Sequence, residues 1–134
     1  MLKPITLCPR GHTNDEPSCL DVSVWVNTLF NIEFKGREIL VKQMENSKYK
    51  LRKGADFISI KFFISNKAEK FPYNVRVPVE MTVPGQDRHP VIFLLHVLDG
   101  IADELEVYTA DGSLISTEIS MLNSDHKVAD CLKI

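Results

Sequence analysis

The chain has 134 residues, enough for one domain with a single core and too few for two independent ones. Sixteen Lys and Arg against eighteen Asp and Glu leave a net charge of −2, so a nonspecific grip on nucleic-acid phosphates has no electrostatic support. The longest apolar run, around Leu94, falls far short of the roughly twenty residues that cross a bilayer, so no membrane partner is expected.

Residues 1–17 hold three prolines and the polar run His12-Thr13-Asn14-Asp15-Glu16, which predicts an irregular arm with a short edge strand at Ile5 to Leu7. Lys3-Pro4 interrupts the start before an apolar leader core can form, and three cysteines is an odd number. Both point to a reducing, cytoplasmic compartment. Ser18 and Asp21 have capping-box spacing, and Val22, Trp25, Val26, Leu29 and Phe30 repeat at helical intervals, predicting a helix from Ser18 to Asn31. Ser23, Asn27 and Thr28 form its expected wet side. Gly36 opens a second helix to Asn46, with Ile39, Leu40 and Met44 as its apolar stripe and Phe34 at the corner.

From residue 49 the period changes to two. Ile58, Ile60, Phe62 and Ile64 alternate with polar or outward positions, as do Val75, Val77, Val79, Met81 and Val83. Pro78 inside the second run implies an edge position or a local break, since it has no N–H to donate. Val91 to Leu98, then Asp99-Gly100, then the alternating stretch Asp103 to Thr109 read as a hairpin with a tight turn. A regular two-residue turn places His96 opposite Asp103, Leu94 opposite Leu105 and Ile92 opposite Val107. Leu114 to Ile119 is expected to add a short strand or fold back, and the 120–134 tail is weakly patterned. Short links between successive strands predict an antiparallel meander of four to five strands, with the two N-terminal helices of residues 18–46 on one face: an α+β fold over 1–134, the sheet spanning 49–119.

Chemistry-bearing residues are sparse. Cys8, His12 and Cys19 are of zinc-ligand type, but a second compact ligand pair is missing and Cys131 is far off in sequence, so no metal site is expected. No phosphate loop or nucleophile elbow marks a cofactor or an acyl-enzyme. His96 with Asp103 or Glu106 has the composition of an acid–base dyad for a small hydrolase, but a dyad also needs a pocket and a nucleophile or water site, so a satisfied cross-strand pair is the favoured reading. Lys48, Lys50, Arg52 and Lys53 around Tyr49 read as a solvated basic loop. The carboxylates Asp99, Asp103, Glu104, Glu106 and Asp111 gather at the hairpin, where they either keep a sheet end soluble or meet a basic protein partner.

Phe34-Lys35-Gly36-Arg37-Glu38-Ile39-Leu40 with Gln43-Met44, Val77-Pro78-Val79-Glu80, and Leu95-His96-Val97 leading through Asp99-Gly100 and Glu104-Leu105-Glu106-Val107-Tyr108 to Asp111-Gly112 stand in this order along the chain. Over roughly residues 20 to 115 this resembles a family of small bacterial proteins with FxGRxxLxxQ and LLHVxDGxxxELExYxxDG motifs. Members of this kind are similar to proteins encoded beside polymorphic toxins and contact-dependent growth inhibition systems. The resemblance implies a non-enzymatic immunity protein that occludes the active site of a cognate toxin, a nuclease with a basic cleft being the partner that suits the carboxylates. The alternatives are the His96 enzyme and a structural subunit of an oligomer.

Overall fold

In the computed structural model of the chain, residues 5, 8–9, 19–45, 47–84, 89–115, 119 and 124–134 are described. They form β1 (Cys8–Pro9), α1 (Cys19–Phe30), α2 (Arg37–Met44), β2 (Lys48–Lys53), β3 (Phe57–Phe63), β4 (Val79–Pro84), β5 (Pro90–Leu98), β6 (Ile101–Thr109), β7 (Asp125–Val128) and a 3₁₀ turn at Asp130–Leu132. The α+β class holds. The sheet is larger than expected, with seven strands in the order β1-β2-β3-β6-β5-β4-β7, all antiparallel except the two-residue β1 beside β2. None of the described helices is long and apolar enough to cross a membrane.

The meander is corrected. β3 pairs with β6, and β4 lies on the far side of β5, so β6 fills the place next to β3 that chain order would give to β4. The reason lies in the 64–78 connection. β4 starts only at Val79, immediately after Pro78, so the apolar alternation from Val75 to Val77 belongs to a connection long enough to skip two strand positions. Pro78 therefore marks a break and not an edge. β4 is flanked by β5 and by β7, and β7 takes the edge.

Two further strands were hard to read in advance. β2 buries Tyr49 between exposed Lys48 and Lys50, a clean alternation that its lysines disguise as a basic loop. β7 reads Asp-His-Lys-Val and is nearly all exposed, so it pairs through its backbone with β4 and leaves no apolar signature. The tail also contributes Leu132, which is fully buried and whose carbonyl accepts from Lys35 N–H at 2.9 Å.

One face of the sheet is dry. Tyr49, Ile58, Ile60, Phe62, Leu105, Val107, Phe93, Leu95, Met81 and Val83 share it through the strand registers, and all are at most 5% exposed. Trp25 of α1 meets Phe93 edge-on at 5.5 Å, and Gln43 of α2 bonds to the β6 backbone. The expected wet side of α1 is corrected here: Ser23 is buried, while Val24 is 45% exposed. Asn27 is partly buried because it serves as a strand partner for residue 5. Its Oδ1 accepts from Ile5 N–H at 2.7 Å and its Nδ2 donates to Ile5 O at 2.8 Å. The capping box at Ser18 lies outside the described residues.

The Phe34 to Arg37 corner follows from its residue types. Phe34 is buried and stacks on Phe30 with centroids 6.4 Å apart. Gly36 has φ 83°, and a Cβ there would come within 2.5 Å of the Phe71 ring, so only glycine fits. Arg37 Nη1 donates to the carbonyls of Phe30 and Ile32, satisfying acceptors that the end of α1 leaves open.

Candidate functional site

The β5–β6 hairpin positions every candidate residue, and a bulge decides how. Ala102 and Leu105 are both about 1% exposed on the core face, yet they are three apart, which strict alternation forbids. The ladder absorbs the extra residue between His96 and Val97 on one strand and Ala102 to Glu104 on the other: Val97 pairs with Ala102 and His96 with Glu104, leaving Asp103 unopposed. The register of a regular two-residue turn therefore holds at Leu98–Ile101 and Val97–Ala102 and is lost from His96 onward. Beyond the bulge, Leu94 faces Glu106 and Ile92 faces Tyr108.

The bulge separates His96 from Asp103 and gives it Glu106 instead. His96 Nε2 lies 2.8 Å from Glu106 Oε1, the diagonal neighbour on β6. Asp103 turns to Lys61 Nζ at 2.6 Å. The imidazole is 16% exposed, and its Nδ1 is buried with no hydrogen-bond partner. With one ring nitrogen committed to Glu106 and the other buried, the ring presents neither to a molecule arriving from solvent.

The five hairpin carboxylates do not form one rim. Asp103, Glu104 and Glu106 are brought together, with Glu104 accepting from Ser59 Oγ at 2.5 Å. Asp99 sits in the turn at one end of the nine-residue β6 and Asp111 beyond the other end, about 30 Å apart at the rise of an antiparallel strand. Around the central group, the partly exposed outer face of the sheet carries Leu94, Ile92 and Tyr108, with Glu80 and Thr82 on β4. On its other flank stand the exposed Lys48, Lys50 and Arg52. The outer face thus grades from basic on β2 to acidic and apolar at its centre.

A second cluster was missed in the sequence because its members are far apart in the chain. His89 Nδ1 lies 2.6 Å from Asp111 Oδ2 and 3.0 Å from Ser113 Oγ. Ser113 donates to Asp111 Oδ1 from its hydroxyl at 2.6 Å and from its N–H at 3.1 Å. The Ser113 hydroxyl, then His89, hold the Asp111 carboxyl well below the usual aspartate range. The residue types are those of a hydrolase triad, but the geometry is not: a relay needs serine and aspartate on opposite ring nitrogens, and here both address Nδ1. It is an Asx-turn closed by a histidine.

Among the described residues no three His, Cys, Asp or Glu side chains converge as metal ligands. His12 and the side chains of Cys8 and Cys19 lie outside the described residues, and Cys131 is an exposed free thiol. No protein family, curated protein or solved structure matches the chain.

Proposed function

We propose that this chain is a non-enzymatic protein-binding module, an immunity protein that acts in the cytoplasm by covering the basic active-site cleft of a cognate bacterial toxin, a nuclease being the class that fits. The observation that carries the reading is the outer face of the β3-β6-β5-β4 sheet. Glu104 and Glu106 stand there beside the partly exposed Leu94, Ile92 and Tyr108, while the core contacts of α1 and α2 use the opposite side of the strands. Each of the two glutamates already accepts one hydrogen bond, from Ser59 or His96, so its rotamer is held before a partner arrives. A carboxylate has about four lone-pair positions, so acceptor capacity remains for a lysine or arginine of the partner. Preorganised charge with apolar neighbours favours fast, selective association with a basic surface. The motif resemblance supports the same reading.

The test identifies the adjacent gene and, where it encodes a large secreted protein, co-expresses the chain with that protein's C-terminal domain. The wild-type chain rescues growth and binds that domain. Glu104→Lys with Glu106→Lys abolishes rescue and weakens binding by at least about 100-fold, the range of a broken interfacial charge pair. Glu104→Gln with Glu106→Gln, which keeps hydrogen-bond acceptors for Ser59 and His96, separates loss of charge from loss of fold. Unchanged affinity in the lysine variant refutes the acidic-face reading. A neighbouring metabolic operon with no toxin domain removes the immunity assignment.

A further inference from the structure

The tip of the β5–β6 hairpin carries a feature that the carboxylate face does not use. The 71–75 loop crosses this tip and is fastened to it: Phe71 N–H donates to Gly100 O at 2.8 Å, and Val97 N–H donates to Arg76 O at 2.7 Å. Gln43 Nε2 adds a bond to the same Gly100 carbonyl at 2.9 Å. The approach is so close that a Cβ on Gly100 would stand 2.9 Å from Lys70 Cβ and 3.1 Å from Phe71 O. Between loop and turn lies a depression of about 250 Å³ lined by Tyr73, Asn74, Val75, Val97, Asp99 and Gly100, among others. Its walls are set by backbone hydrogen bonds, so it exists before any ligand arrives.

Asp99 is the charged group in this depression. Its φ of 52° places it in the left-handed region, where aspartate, asparagine and glycine are tolerated. Among the described residues it has no hydrogen bond or ion pair, whereas Asp103, Glu104, Glu106 and Asp111 each have a side-chain partner. Lys70, whose Cβ lies close to Gly100, spends its ammonium on the carbonyls of Asn66 and Ala68. Tyr73, which lines the depression, is 38% exposed.

We infer that this pocket receives one arginine side chain of the partner protein. The inference rests on the binding reading above and names the group that the partner inserts. An unpaired carboxylate beside an aromatic ring in a concave site matches a guanidinium, which bonds a carboxylate through two parallel N–H groups and lies flat on a ring. Its aliphatic stem covers apolar surface such as Val75 on the way in. Lysine supplies the charge without the fork or the plane.

The test titrates ¹⁵N-labelled full-length protein with N-acetyl-arginine amide, with the neutral isostere N-acetyl-citrulline amide and with N-acetyl-lysine amide. The arginine probe gives saturable shifts centred on Tyr73, Asn74, Asp99 and Gly100. It binds at least about tenfold tighter than citrulline, the difference between charge-assisted and neutral hydrogen bonds. Asp99→Asn, which suits the same backbone conformation, abolishes saturation. Equal shifts in Asp99→Asn, or shifts spread over Asp103, Asp111 and Asp130 without saturation, overturn the inference. The two proposals fail separately. A toxin domain that binds wild type and Asp99→Asn alike removes the pocket and leaves the binding reading. An arginine probe seated at Asp99 in a chain that protects against no toxin does the reverse.

Discussion

Replacing Gln43 by leucine tests whether the hairpin is held by one side chain of α2. Gln43 is 6% exposed and spends its whole carboxamide on backbone: Nε2 donates to Glu69 O at 2.8 Å and Gly100 O at 2.9 Å, and Oε1 accepts from Ala102 N–H at 2.9 Å. Leucine keeps the volume and removes all of these bonds. The losses are unequal. Gly100 O keeps its bond from Phe71 N–H, and Glu69 is exposed, so water reaches its carbonyl. Ala102 is 1% exposed, so its N–H is orphaned at a cost of about 1–3 kcal/mol, and the other two bonds add roughly 1 kcal/mol between them. A total near 3 kcal/mol is a large part of the about 5–15 kcal/mol that holds a domain together. With an unfolding entropy of about 2.1 cal/mol/K per residue over 134 residues, the melting temperature falls by roughly 10 °C. Urea denaturation followed through Trp25, the single tryptophan, reads the loss at a buried site next to Phe93. A decrease under about 1 kcal/mol refutes the reasoning, because a buried orphan N–H cannot be that cheap. Gln43→Glu sharpens it. A carboxylate facing two carbonyls resists ionisation, so its folded pKa rises above the free value of about 4.3 and the folded state binds more protons than the unfolded one above that pH. Stability is then lost as pH rises from about 4 towards neutrality, a slope relative to wild type that Gln43→Leu does not show.

Two other outcomes follow from the hairpin. Deleting Asp103 removes the unopposed residue and restores strict alternation of Ala102 and Leu105, so the variant folds and loses only an exposed ion pair with Lys61, worth at most about 1 kcal/mol. Deleting Glu106 from the regular stretch sends Val107 and Thr109 to the wrong face, and that variant fails to give a dispersed amide spectrum; equal behaviour of the two deletions refutes the bulge assignment. The Asp111 carboxyl titrates below the usual aspartate range because Ser113 and His89 hold its ionised form, and Ser113→Ala raises its midpoint in a carbon-detected NMR titration. As its folded pKa is depressed, its contribution to stability is present above the ordinary aspartate value and is lost as pH falls through the depressed one. An unmoved midpoint contradicts the Ser113 hydroxyl as the main cause.

Local periodicity in the sequence determined most of the elements: a 3.6-residue stripe for α1 and α2, alternation for β3 and the hairpin strands, and Asp99-Gly100 for the turn. It also placed Glu104 and Glu106 on the side of β6 opposite Leu105 and Val107, because side-chain direction along a strand depends only on parity. Tertiary structure alone decided which strands are neighbours, since alternation says which face a residue takes and nothing about whose backbone pairs with it. Hence β6 lies between β3 and β5, and the polar β7 finds an edge that no apolar pattern announced. The bulge at Asp103 was legible only in the three-residue spacing of Ala102 and Leu105, yet it decides whether His96 meets an aspartate or a glutamate. The His89, Asp111 and Ser113 cluster, the Gln43 pin and the Asp99 pocket depend on segments far apart in the chain being packed within hydrogen-bond reach, and that distance is set by the whole core.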